Sequence, residues 1–201
     1  VEPRHKKQFI DKMWEIGLAI QKHSYIEILY ERLKDRKKVT RKLKPVSIMF
    51  SEYYFYVTAF LDDEDESRKD FDIINDSFPT VYRIDRIQRL RTLDEKFNIP
   101  YSNRFEEGEF RKRVQFMYGG DLQRVLIKFY GENPEPITDR LPTATIVEQG
   151  LDYFIIKAEV YGKGILMWLL SQGKKVELLS PESLRLELKE SIEEMLRLYQ
   201  G

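Results

Sequence analysis

The alternation of apolar and polar residues in the first half of the chain predicts one helix followed by about five short strands. The helix is indicated by apolar residues at helical spacing: Phe9, Met13, Ile16 and Ile20. Trp14 widens this stripe and is expected to lie in the core, as is Trp168 on the apolar stripe of a later helix. Strand patterns then occupy residues 25–30, 39–45, 53–60, 80–83 and 85–90.

The strongest strand signal is the aromatic and β-branched run at residues 53–60. Alternation assigns its residues to two faces. The apolar face, expected in the core, consists of Tyr53, Phe55, Val57 and Ala59. The other face consists of Tyr54, Tyr56 and Thr58. Tyr56 is therefore a candidate for ligand contact by stacking or through its hydroxyl, with a half-buried structural tyrosine as the alternative.

The second half of the chain repeats a recognisable order of elements. Strands are predicted at residues 123–130, 144–148, 153–160 and 175–179. Helices are predicted at residues 134–140, 164–171 and from 181 to the end. The order βαββαβ with a terminal helix is typical of a ferredoxin-like domain.

The predicted fold class is therefore α+β, in two domains. Residues 1–93 are expected to form a leading helix and a small Sm-like or SH3-like β-barrel, with an unclosed meander sheet as the alternative. Residues 94–119 are expected to be a linker with a short helix, since Pro100 and a polar stretch loosen the pattern before Gly119 and Gly120. Residues 120–201 are expected to be the ferredoxin-like domain.

The composition excludes several kinds of site. The chain has no cysteine and two histidines, which excludes disulfides, thiolate metal sites and histidine-rich metal sites. We expect no cofactor. No apolar run approaches the ~20 residues of a membrane span, and the first residues have no signal-peptide pattern, so a cytoplasmic location is expected. Because the sequence lacks an initiator methionine, we expect a processed product or a fragment.

The net charge of zero conceals a separation into blocks. Residues 1–61 carry thirteen Lys and Arg against seven Asp and Glu, whereas residues 62–80 carry two against eight. The basic excess thus coincides with the predicted barrel. The acidic run at residues 62–66 is interpreted as a solvated hairpin tip, or alternatively as a gate that competes with an anionic ligand.

Two arginines, Arg83 and Arg86, are the leading candidates for an anion site. On a regular strand an offset of three puts side chains on opposite faces, so the two converge only if the chain turns at Ile84 and Asp85. Convergent guanidinium groups would offer bidentate phosphate contacts, whereas pairing of one arginine with Asp85 or with the acidic run at residues 62–66 is the structural alternative.

Arg41 is either a paired cation or a third residue of this site. Lys42 and Lys44 face the other side of the strand, where solvation is the expected role, although Lys44 stays in the candidate set together with Tyr82. No cysteine nucleophile, histidine beside an acidic residue or glycine-rich phosphate loop is present, so no enzymatic activity is predicted.

Four short motifs together resemble the WYL-domain family of bacterial transcriptional regulators, including that family's C-terminal extension domain. The family's Trp-Tyr-Leu tripeptide corresponds to Phe55-Tyr56-Val57. Its arginine motif is intact as Tyr82-Arg83-Ile84-Asp85-Arg86-Ile87, and its Arg-x-apolar-x-Pro strand is Arg41-Lys42-Leu43-Lys44-Pro45. The extension domain is matched by Trp168, Gly173, Val176–Leu179 and Pro181.

This resemblance implies an Sm-like barrel that senses a ligand, usually nucleic-acid-like, within a transcriptional regulator. Such regulators carry an N-terminal winged helix-turn-helix that binds DNA, and we expect that segment to lie outside this sequence. The predicted function is the effector-sensing and homodimerisation region of such a regulator. The alternative is a protein-interaction module that docks an acidic peptide or a partner of the transcription machinery.

Overall fold

The computed structural model describes residues 9–32, 36–51, 53–62, 79–98 and 106–200. The chain divides into two compact units, Val1–Phe105 and Glu106–Gly201. The predicted partition into residues 1–93, a linker at 94–119 and residues 120–201 stays a prediction. No helix in the described part of the chain is long and apolar enough to cross a membrane.

The first unit is a five-stranded antiparallel sheet with one helix. Its elements are α1 (Ile10–Gln21), β1 (Ser24–Glu31), β2 (Lys38–Ser51), β3 (Tyr54–Leu61), β4 (Thr80–Arg83), a 3₁₀ turn (Ile84–Arg86) and β5 (Ile87–Lys96). The strand order is β4-β3-β2-β1-β5. The two outer strands are consecutive in sequence and joined by the 3₁₀ turn, which is compatible with the predicted barrel. No pairing of β4 with β5 occurs among the described residues, so closure of the barrel stays a prediction.

The core of this unit forms where the inward faces of the sheet meet α1. Its buried side chains are Ile16, Ala19, Ile26, Ile28, Leu43, Val57, Ala59, Leu61, Tyr82, Ile84 and Ile87. Phe55 packs against this core, and Thr58 is buried as well, where its hydroxyl donates to the carbonyl of Ser47 at 3.3 Å. The predicted inward face of β3 is thus largely as expected.

Two core predictions for this unit are wrong. Trp14 is 73% exposed, because the inward face of α1 is already filled by Ile16 and Ala19 and by the partly buried Met13. Tyr53 is 71% exposed, because the chain turns at this residue with a positive φ of 72° and β3 begins only at Tyr54.

The second unit has the predicted order of elements. They are α2 (Glu107–Arg113), β6 (Leu122–Tyr130), α3 (Glu135–Arg140), β7 (Thr145–Gln149), β8 (Tyr153–Tyr161), α4 (Gly164–Ser171), a 3₁₀ turn (Gly173–Lys175), β9 (Val176–Ser180) and α5 (Glu182–Gln200). The sheet order β7-β8-β6-β9, with all pairs antiparallel, is that of a ferredoxin-like domain. The mixed α+β class with two antiparallel sheets is therefore confirmed.

The core of the second unit lies between its sheet and the helices α3, α4 and α5. Trp168 of α4 is 5% exposed and belongs to this core, as predicted. The first half of α5 contributes Leu184 and Leu188. Beyond Ser191 every residue of α5 up to Gln200 is exposed. The second half of α5 therefore extends past the core with its apolar side chains open to solvent.

Candidate anion site at the turn between β4 and β5

The candidate site is built on the 3₁₀ turn Ile84–Arg86. Ile84 and Ile87 are 0% and 1% exposed and anchor the turn to the core three residues apart. A 3₁₀ helix has three residues per turn, so positions i and i+3 project from the same side. Arg83, the last residue of β4, and Arg86, the last residue of the turn, lie at its two ends and are both half-buried, and the convergence of their side chains stays a prediction. The turn that convergence of the two arginines requires is thus present.

Arg83 is held rigidly at the start of this turn. Its Nε and Nη2 donate to Oδ1 and Oδ2 of Asp85 at 3.0 and 2.7 Å, and its guanidinium lies over the ring of Tyr54 at 3.4 Å from the centroid. The two charged side chains are only 16% and 12% exposed. Burial lowers the pKa of Arg83, but the hydrogen bonds and charge of Asp85 outweigh it, so that pKa is raised. Arg83 therefore pairs with Asp85, which is the structural role that the sequence left open for one of the two arginines.

Arg86 differs from Arg83 in its surroundings. It is half-buried, and no hydrogen bond or ion pair reaches it from any residue in the described ranges. The carbonyl of the next residue, Ile87, accepts a hydrogen bond from the Lys12 ammonium of α1. Helix α1 is thereby tied to the end of the turn.

The register of β3 and β4 brings Tyr56 beside this turn. Tyr56 is directly opposite Arg83, and Tyr54 shares its face of β3 two residues earlier. Tyr82 projects to the opposite face, where it is 6% exposed and packs edge-on against Tyr30 at a centroid distance of 5.1 Å. Among the candidates from the sequence, Tyr56 and Arg83 are therefore neighbours, whereas Tyr82 belongs to the core.

The register does not put the other two candidates next to Tyr56. Lys44 lies opposite Phe60, four residues along β3 from Tyr56, which is about 13 Å of strand. Arg41 lies opposite Ile28 of β1, on the part of β2 that precedes its pairing with β3. Both are half-buried.

Lys42 does not have the solvated role expected for it. Its ammonium forms ion pairs with Asp62 at 3.1 Å and Glu95 at 2.8 Å, and lies 4.4 Å from the ring centroid of Tyr25. Burial, followed by the charge of Asp62, raises the pKa of Tyr25 to about 12. Beyond Asp62 the predicted acidic loop lies outside the described residues.

Sequence reasoning missed two residues at this site, Tyr54 and Lys12, whereas it named Asp85 as the structural partner of one arginine. Tyr54 could have been found, because alternation already put it on the face of Tyr56. The contact of Lys12 depends on the docking of α1, which no local pattern encodes. In the part of the chain that the structure describes, no group of three or more His, Asp or Glu residues could hold a metal ion.

Comparison with known proteins identifies two domains. A family model described as WYL domain matches residues 13–92, and one described as WCX domain matches residues 121–196. No curated protein matches the sequence.

Two solved structures are similar to the chain. The proteasome accessory factor B/C (PafBC) of Arthrobacter aurescens is 17% identical with a TM-score of 0.41. A CRISPR Cas-related protein is 19% identical with a TM-score of 0.55, which shows a shared fold. The matches cover 100% and 96% of this chain but 28% and 53% of those chains. With WYL and WCX models matched in succession over most of its length, this chain belongs to the WYL-domain family and carries a WCX domain after its WYL domain.

Proposed function

We propose that the chain is the ligand-sensing and dimerisation region of a bacterial transcriptional regulator. Its WYL domain binds an anionic, nucleic-acid-like effector at the turn between β4 and β5. DNA binding is assigned to a winged helix-turn-helix outside residues 1–201. Membership of the WYL-domain family, together with the WCX domain, supports a regulatory role.

One observation carries the choice of an anionic ligand. Arg86 is a half-buried cation without a hydrogen-bonding or ion-pairing partner in the described ranges, and only the residues Ile84 and Asp85 separate it from Arg83 along the chain. Burying a charge without a partner is costly, so such a group is stabilised when an anion binds. Tyr54 and Tyr56 lie on the adjoining face of β3, where aromatic rings can stack with bases.

The test is the binding of a fluorescein-labelled oligothymidylate, followed by fluorescence anisotropy at several salt concentrations. For single strands each phosphate contact contributes about 0.7 to the slope of log K against log salt. We expect Arg86→Gln to weaken binding and to reduce this slope by about that amount. Arg89→Gln is the matched control, since it removes an exposed positive charge from β5 of the same unit.

Equal binding by the wild type and Arg86→Gln would show that Arg86 does not contribute to the site. Binding that ignores salt would contradict the anion site as a whole, because phosphate contacts release counterions. A loss of slope as large in Arg89→Gln as in Arg86→Gln would indicate general attraction to the basic unit.

Dimerisation is supported by the exposed second half of α5. Apolar side chains continue there at helical spacing from the buried Leu188: Ile192, Met195, Leu196 and Tyr199, of which each is at least 46% exposed. We expect sedimentation equilibrium to show a dimer that Leu196→Glu dissociates. Leu186→Glu, which changes an exposed leucine of α5 outside this stripe, should leave the dimer intact. A monomeric wild type would contradict dimerisation.

A protein-interaction module is the second candidate, and one apolar groove favours it. The groove has a volume of about 670 Å³ and runs along α1, where Ile10 and Trp14 are 75% and 73% exposed. Its other walls include Met13, Ile48 and Phe55. This candidate predicts that Trp14→Ser abolishes capture of a specific protein and that the wild type has no affinity for oligothymidylate.

A further inference from the structure

We propose that Asp85 shifts the selectivity of the site toward singly charged phosphodiesters and against doubly charged phosphate monoesters. This inference rests on the proposed function, because it concerns the ligand of the same turn. Asp85 is then a specificity-determining residue, and the ligand class is a phosphodiester linkage within a nucleic-acid strand.

The geometry puts the Asp85 carboxylate beside any anion that contacts Arg83. Asp85 occupies the Nε–Nη2 edge of the guanidinium, with an Oδ2 to Nη2 distance of 2.7 Å. A ligand oxygen must then use the remaining N–H groups, at about 2.8 Å from their nitrogen atoms. Its separation from the carboxylate oxygens is therefore about 5 to 7 Å.

The same pairing cancels the charge of Arg83. Arg83 and Asp85 form a partly buried, hydrogen-bonded pair, so Arg86 is the uncompensated cation of the turn in the described ranges. Arg86 attracts both kinds of phosphate. An unpaired Arg83 would attract a dianion about twice as strongly as a monoanion at the same distance, so the Asp85 carboxylate removes most of that preference for the dianion.

The size of this discrimination follows from the separation. At about 6 Å and an effective dielectric constant of about 20, one further unit of negative charge is disfavoured up to about a hundredfold. Salt screening at a partly exposed site lowers this to about tenfold. A phosphate monoester has a second pKa of about 6 and is a dianion at neutral pH, whereas a phosphodiester carries one charge.

This difference separates two classes of cellular anion. Free nucleotides end in a phosphate that can carry two charges, while the linkages within a strand carry one each. A sensor with a carboxylate inside its anion site responds to strands with less interference from free nucleotides. The carboxylate thus has a role at the ligand in addition to its role in holding Arg83.

The experiment compares two competitors that differ in a single methyl group. Thymidine 5′-monophosphate is a dianion at pH 7.5, and its phosphate methyl ester is a monoanion with the same base and sugar. Each displaces fluorescein-labelled oligothymidylate from the wild type and from Asp85→Asn, which removes the charge but keeps an amide oxygen for Arg83. In Asp85→Asn the monophosphate should gain about tenfold relative to the methyl ester.

Two controls isolate the carboxylate. Asp94→Asn makes the same change of charge at an exposed position of β5 and should leave the competition ratio at its wild-type value. At pH 5 the monophosphate is mostly a monoanion, so the two competitors should become equivalent in wild type and in Asp85→Asn. Circular dichroism and urea unfolding of each variant establish that it is folded before its ratio is compared.

The outcomes separate this inference from the proposed function. If oligothymidylate does not bind wild type at all, the proposed function fails. If it binds but the competition ratio is the same in Asp85→Asn and wild type, the inference alone fails. The inference also fails if the methyl ester displaces no probe, because a single phosphodiester then does not occupy the site.

Discussion

The pair of Arg83 and Asp85 should stabilise the WYL domain measurably, and a double-mutant cycle can determine by how much. Exposed ion pairs contribute about 0.2–1 kcal/mol, while removing one partner of a fully buried pair costs about 3–5 kcal/mol. The two side chains are 16% and 12% exposed and share two hydrogen bonds, so they lie nearer the buried limit. We expect Arg83→Gln and Asp85→Asn each to lower the free energy of unfolding by about 2 kcal/mol. The double variant should lose clearly less than the sum, with a coupling energy of about 1.5 kcal/mol.

Urea unfolding followed by circular dichroism measures the four proteins of this cycle. The pair of Arg91 and Glu27 in the same sheet is a matched control, because its side chains are 68% and 40% exposed at an N–O distance of 3.2 Å. Its coupling energy should stay below about 0.5 kcal/mol. A coupling energy for Arg83 and Asp85 as small as that of the control would contradict a stabilising ion pair between these two residues. Arg83 would then be a free cation, and losses of ligand binding in its variants could be assigned to direct contact.

Three further outcomes are expected. Iodide should quench the fluorescence of Trp14, which is 73% exposed, and leave that of Trp168, which is 5% exposed, nearly unchanged. The variants Trp168→Phe and Trp14→Phe each keep one of these two tryptophans, and equal quenching in both would contradict the packing of α1 or α4. Ile28 and Ile127 are fully buried in the cores of the first and the second unit. Ile28→Ala and Ile127→Ala should each lower the free energy of unfolding in urea by about 2–5 kcal/mol, and a loss below about 1 kcal/mol would contradict the assigned core. Hydrogen bonds from Lys112 and Arg113 lower the pKa of Glu109 to about 2, which is below its value in the unfolded chain. The ionised Glu109 therefore stabilises the fold above about pH 4.3, and this contribution is lost as the pH falls toward 2. Glu109→Gln should weaken this acid dependence of the melting temperature, and an unchanged profile would contradict the pairing.

The elements of the second unit could be predicted from the sequence because their boundaries are local. Glycine and proline residues punctuate the strands, and helix α4 was predicted with the bounds that it has. The predicted apolar stripe of α1 is also correct at Ile16 and Ile20, which pack in the core, but the predicted stripe was too wide. An apolar position at the edge of a stripe is buried only if the sheet beneath is wide enough, and that depends on tertiary packing. Trp14 is exposed for this reason.

The two arginines show why the site could be predicted only in part. In the sequence, Arg83 and Arg86 are equivalent members of one motif, and alternation along a strand would put them on opposite faces. The 3₁₀ turn interrupts the period of two between them and brings Asp85 within reach of Arg83. The turn therefore makes the two residues unequal: Arg83 is neutralised and fixed, while Arg86 keeps its charge for a ligand. A substitution of Arg83 thus changes the stability of the site first, and a substitution of Arg86 changes its charge first. Only the salt dependence of binding, compared between the two variants, separates these effects.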